Sequence, residues 1–124
     1  MRLSVMILLI ALLVGCGKKA PEPVSYRDQI QPILNNRCVS CHGTERAEGK
    51  IVLTSYETLK SSRIFPGKKP LVTAGEYRKS WLYILCSTDQ THYRMPPDTL
   101  DLTLLPKAEL LLISEWITQG ANNN

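Results

Sequence analysis

Apolar residues recur at helical spacing in three parts of the chain. In YRDQIQPILNNRCVSC, Tyr26, Ile30, Ile33, Leu34 and Arg37 lie at spacings of three and four, with Ile33 and Leu34 side by side, the stripe of a helix that buries one side. Pro32 interrupts the pattern, and proline is tolerated only in a first helical turn. The expectation is therefore a regular helix over about 31–38 with a looser helical lead-in over 25–30. A second apolar segment, YRKSWLYILCS, carries Trp81, Leu82, Ile84, Leu85 and Cys86 and predicts a helix packed on the core. The third begins at Pro106, suited to a first helical position, and stops before Gly120. Within it Leu111, Leu112, Glu115, Trp116 and Gln119 are expected to define one face, flanked by Leu110, Ile113 and Ile117.

Between these elements the periodicity fades. Thr54 stands three residues ahead of Glu57, a capping-box spacing that predicts a short helix through Lys60. SSRIFPGKKPLVTAGE, with two Pro and two Gly, predicts an irregular surface loop. Strand signals are weak throughout, and the terminal Asn residues are expected to fray. The predicted class is all-α, a small helical domain.

The first residues follow a different logic. MRLSVMILLIALLVGC has one early positive charge, an apolar run from Leu3 to Val14, and small residues before Cys16. This is the make-up of a secretory signal, and the run falls short of the roughly 20 apolar residues that span a bilayer. Leu13, Val14, Gly15 and Cys16 resemble a bacterial lipobox, in which cleavage precedes the cysteine and its thiol takes a lipid. The alternative is an ordinary signal or an uncleaved anchor. The expected organisation is a signal over 1–15, a lipid-anchored tether over 16–25 in which GKKAPEPV lacks hydrophobic period, and one domain over 26–121. The protein then faces the periplasm from a membrane. Gly17, in place of an acidic retention residue, favours the outer membrane.

Composition adds little until the cysteines are counted. The 124 residues carry 15 Lys and Arg against 11 Asp and Glu, a formal charge of +4. No dense basic stripe with interleaved aromatics appears, which argues against a nucleic-acid partner. The whole chain has four Cys and two His, and half of each sits in RCVSCHG at 37–43.

On a helical turn the thiols of Cys38 and Cys41 project from nearly one side, with the ring of His42 directly behind. A haem needs this set, since two thiols add across its vinyl groups as thioethers and an imidazole takes one axial position on iron. Export across a membrane suits such attachment. Three other readings stay open: a thioredoxin-like redox pair, which wants a βαβ setting; a zinc site using Cys38, Cys41, His42 and His92; and a plain disulfide between Cys38 and Cys41.

With Met1 and Met6 in the signal, Met95 in YRMPPDT is the thioether left to the mature chain, and Pro96 and Pro97 stiffen the strap around it. It is the candidate second axial ligand. Its alternatives are a buried gap-filler or replacement by His92, which would make the site bis-histidine with a lower potential. Cys86, the odd thiol, is expected to be buried and inert. Arg37, Tyr93 and Arg94 are candidate donors to haem propionates, and Arg63, Lys68 and Lys69 a candidate docking cluster.

The runs IQPILNNRCVSCHG, LTSYETL, RMPP and SEWITQGA together resemble the planctomycete-type cytochrome c domain, a branch related to class I cytochromes c. The resemblance spans residues 26–121. It implies a small cytochrome c-like helical fold wrapped around one covalent haem c, with Cys38 and Cys41 as thioether sites, His42 as proximal ligand and Met95 as distal ligand. It also implies that the first and last helices cross near Trp116 and Ile117. The implied activity is outer-sphere electron transfer with redox protein partners, without substrate turnover. Two further classes remain, a haem-based small-ligand binder or sensor and a thiol–disulfide oxidoreductase using Cys38 and Cys41.

Overall fold

The computed structural model describes residues 20–90, 92–100 and 103–124. The expected signal, the lipobox and Cys16 lie outside the described residues. Among those residues no helix is long and apolar enough to cross a membrane.

The chain enters the fold through a π-helical turn, Tyr26–Ile30, which runs directly into helix α1, Gln31–Arg37. Pro32 explains the junction. It has no N–H for an i−4 carbonyl and its ring crowds that carbonyl, and the turn ahead of it is widened, with the N–H of Ile30 reaching the carbonyl of Ser25 at 3.3 Å. The Ser25 hydroxyl caps the turn by accepting from the Asp28 N–H at 3.1 Å. Ile30, Ile33 and Leu34 are buried as the stripe requires.

Helix α2, Tyr56–Ser61, has its cap one residue later than expected. Ser55, in extended backbone, accepts from the Thr58 N–H, and the Thr58 hydroxyl accepts from the Ser55 N–H. Thr58 thus takes the reciprocal role assigned to Glu57. The all-α expectation needs one correction: β1, Arg63–Ile64, pairs antiparallel with β2, Lys69–Pro70. Gly67 and Lys68 adopt positive φ at its tip, so the turn closes tightly enough for the flanking residues to exchange bonds. The pair is too short to leave a periodic signal.

A 3₁₀ turn at Tyr77–Lys79 leads to α3, Trp81–Ser87. Between them Ser80 is fully buried, and its hydroxyl accepts from the Thr73 N–H at 2.9 Å. Helix α4 spans Lys107–Thr118, with Pro106 at the cap rather than inside the first turn. It ends in a Schellman arrangement. Gly120 has φ +105°, the Gly120 N–H donates to the Ile117 carbonyl, and the Ala121 N–H donates to the Trp116 carbonyl.

The face α4 buries differs from the expected one. Ile113, Trp116 and Ile117 are buried, whereas Leu111 is 58% exposed. A helix with four consecutive apolar residues at Leu110–Ile113 leaves the choice of face to whatever its neighbours meet. The neighbour here is the first turn: Tyr26 packs at 5.5 Å between ring centroids from Trp116, and edge-on at 5.1 Å from Tyr56. The first and last helical elements therefore meet at Trp116, as the resemblance implied.

The last residues are also ordered, contrary to expectation. The side-chain carbonyl of Asn124 accepts from the Tyr26 N–H at 2.9 Å, and its backbone carbonyl accepts from the Arg27 N–H at 3.0 Å. Gln119 accepts from the Val24 N–H at 2.8 Å and donates to the Glu22 carbonyl at 3.1 Å. Val24 is itself buried, so packing reaches back into the segment expected to be tether. These partners lie far apart in sequence, and no local rule marks them.

Candidate haem site

Helix α1 delivers the CVSCH stretch and then stops. The Cys38 and Val39 N–H groups both donate to the Leu34 carbonyl, and the next turn is closed by Cys41 and His42 N–H groups donating to the Cys38 carbonyl at 3.0 and 2.8 Å. Cys38 and Cys41 thus stand one turn apart with free thiols. Gly43 comes next and is buried. A Cβ there would lie 2.7 Å from the Val39 carbonyl oxygen, a distance that forces backbone to move. Gly43→Ala is expected to cost about 1–3 kcal/mol through this overpacking, read as a lowered unfolding midpoint. Val39→Ala, which leaves that carbonyl in place, should not rescue it.

The loop beyond Gly43 folds back over His42. The Gly43 N–H donates to the Arg46 carbonyl, the Glu48 N–H to the Cys41 carbonyl, and the Leu53 N–H to the His42 carbonyl. His42 is thereby pinned on both sides. Its Nδ1 lies 3.0 Å from the Glu48 carbonyl oxygen. A carbonyl only accepts, so Nδ1 carries the proton and Nε2 keeps the lone pair that binds a metal. Gly49, at φ +63°, turns the chain directly after this carbonyl, and Arg46 ties the Glu48 carboxylate at 2.9 Å.

Met95 arrives from the other half of the chain. Its N–H donates to the Leu85 carbonyl at the end of α3 at 2.7 Å, and its side chain is half-buried against the core. The Arg94 guanidinium donates to the Pro96 carbonyl at 3.0 Å within the same strap. His92 is exposed on the preceding turn.

One cavity of about 610 Å³ has Cys38, Cys41, His42, His92 and Met95 on its wall, within the roughly 300–1,000 Å³ of cofactor sites. Ile51, Leu53, Leu71, Leu82, Leu85 and Leu105 supply much of the rest. Two thiols, an imidazole with a bare Nε2, a thioether and an apolar wall form a donor set that fits a haem. They do not fit a bare ion: among the described residues no group of three or more His, Cys, Asp or Glu is placed to hold one, against the zinc reading. The thioredoxin-like reading lacks its βαβ setting, because the described strands are the two-residue pair alone. Nor is Cys38 activated as a nucleophile. Burial, with Glu109 nearby, pushes its thiol up to about 11.

The remaining candidates divide. Arg37 is not free for a propionate, since its guanidinium is held in a fork by the Glu109 carboxylate at 3.0 and 2.9 Å. Tyr93 lies on the cavity wall and is 64% exposed. Cys86 also borders the cavity, buried on α3, with its thiol pushed up to about 12 by burial. In the basic hairpin the Arg63 guanidinium donates to the Lys60 and Ser62 carbonyls, and the Lys69 ammonium lies 5.0 Å over the Trp81 ring. Sequence reasoning missed Glu109 and the Glu48 carbonyl. Every residue has a carbonyl, so the latter leaves no mark, whereas the glycine directly after His42 was a visible sign of a crowded backbone.

No curated protein and no solved structure matches the chain. The family model described as Planctomycete cytochrome C matches residues 38–99, a stretch that opens on Cys38 and takes in Cys41, His42 and Met95. Half of the chain is thus covered, and the chain belongs to the planctomycete cytochrome c family.

Proposed function

We propose that this protein is a single-haem electron carrier in which Cys38 and Cys41 attach the haem, His42 Nε2 is the proximal ligand and Met95 the distal one. The observation that carries the reading is the His42 Nδ1 contact with the Glu48 carbonyl, which aims the imidazole's lone pair away from the loop on a cavity wall shared with both thiols and Met95. A haem there supplies one-electron exchange between ferrous and ferric iron. The chain's own part is to hold donors still: the two thiols fix the cofactor to α1, the Glu48 carbonyl fixes the tautomer and orientation of His42, and the Leu85 carbonyl fixes the backbone of Met95. Leucine and isoleucine side chains exclude water and lower the local dielectric. With His42 and Met95 both holding it, the haem iron would have no place for a substrate, which would suit transfer to redox protein partners rather than turnover. A visible spectrum tests it: the purified protein should show a covalent low-spin haem with a thioether-to-iron band in the near infrared, and high-spin haem or none would overturn the reading.

The rest of the proposal concerns place. A signal over 1–15 and a lipid on Cys16 would hold the domain at the periplasmic side of a membrane, by preference the outer one. LVGC at 13–16 supports this. Cys16→Ser is expected to abolish incorporation of labelled fatty acid and to leave the protein uncleaved or released. Equal labelling of both forms would remove the lipid anchor from the proposal.

A further inference from the structure

We infer that the strap carries a reserve axial donor, and that His92 takes the distal position on iron whenever Met95 gives it up. The inference rests on the reading above, in which Met95 holds that position in the resting protein.

Both residues border the same cavity, three positions apart in one strap, and they are held very differently. Met95 is fastened by its N–H to the Leu85 carbonyl at 2.7 Å and packs on the core. His92 is exposed on a turn in which the Tyr93 and Arg94 N–H groups both donate to the Gln90 carbonyl at 3.0 Å and the Gln90 N–H donates to the Thr88 hydroxyl at 3.2 Å. None of these bonds engages the His92 ring, which can turn on its own side-chain torsions with them intact. An exposed imidazole gives up little packing when it moves.

The cavity wall offers few rivals. Cys38 and Cys41 are consumed by attachment. Cys86 borders the cavity too, but its burial on α3 disfavours the thiolate that would bind iron. The phenol of Tyr93 must ionise before it binds. An imidazole binds through a neutral ring nitrogen and is a stronger donor to ferric iron than a thioether. In the exchange the bond between iron and sulfur breaks with the electron pair returning to Met95, and the lone pair of His92 forms the new bond. The oxidation state of iron is unchanged. The distal position is then refilled from within the chain, a property that sets this protein apart from a ligand sensor.

The sequence makes the test clean, because its two His are His42 and His92; any bis-histidine signal in the monomer identifies His92. In ferric holoprotein, Met95→Ala should lose the near-infrared thioether band yet stay low-spin, with the electron paramagnetic resonance of two imidazoles. Met95→Ala combined with His92→Ala should turn high-spin and bind added imidazole at least about tenfold more tightly than Met95→Ala, the internal competitor having gone. Equal high-spin character and equal imidazole affinity in the two would overturn the inference. Should Met95→Ala fail to fold, urea below the unfolding transition displaces Met95 in the unaltered protein. The species lacking the band should be low-spin there and high-spin in His92→Ala, and high-spin in both would overturn the inference. Absence of the band from the untreated wild-type protein, or its survival in Met95→Ala, would instead strike down the Met95 reading on which the inference stands.

Discussion

Acid–acetone extraction is expected to leave all haem on the wild-type protein, made alongside c-type maturation machinery, and to strip it entirely from Cys38→Ala, Cys41→Ala. The two thiols stand one turn apart on the cavity wall with His42 next in the chain, and thioether bonds survive acid that breaks axial ligation. Loss of the cofactor should also weaken the fold. A domain this small buries a modest core, and a large apolar group bound only by the native state adds to its stability. The double variant should therefore melt well below the holoprotein, and complete extraction of haem from the wild type would end the reading.

Replacing Met95 with His should shift the midpoint potential downward by a substantial part of the roughly 0.8 V that axial ligation spans. A thioether is a weak donor that favours ferrous iron, whereas an imidazole stabilises the ferric state. The near-infrared thioether band should vanish in Met95→His and persist in His92→Ala, with the potential of the latter near that of the wild type. A band lost only with His92 would assign the distal position to His92 instead.

The parts of this molecule that could be read before it was folded are those with local causes. Pro32 set the point where regular helix begins, Gly120 set the end of α4, and the CVSCH spacing named its own chemistry. The errors came where local rules tie or where the deciding partner is remote. Thr54 and Ser55 both offer a cap, and the winner is the one whose third neighbour, Thr58, can answer with its own hydroxyl. Leu111 and Ile113 are equally apolar, and only the arrival of Tyr26 beside Trp116 decides which of them is buried. Arg37 looked available for a propionate until Glu109, from the far end of the chain, occupied it. The donor set around the cavity was visible as residue types. The carbonyl of Glu48 that orients His42 was not, because backbone atoms carry no signature.

The stitching of Glu22–Val24 and Tyr26–Arg27 to Gln119 and Asn124 has a mechanical meaning. Tension applied to the chain ahead of residue 22 meets these bonds to the C-terminal segment before it can reach the loop of His42. None of the residues that make the stitch borders the cavity. On the tether proposed above, a pull from that side would be spent on bonds remote from the candidate iron donors.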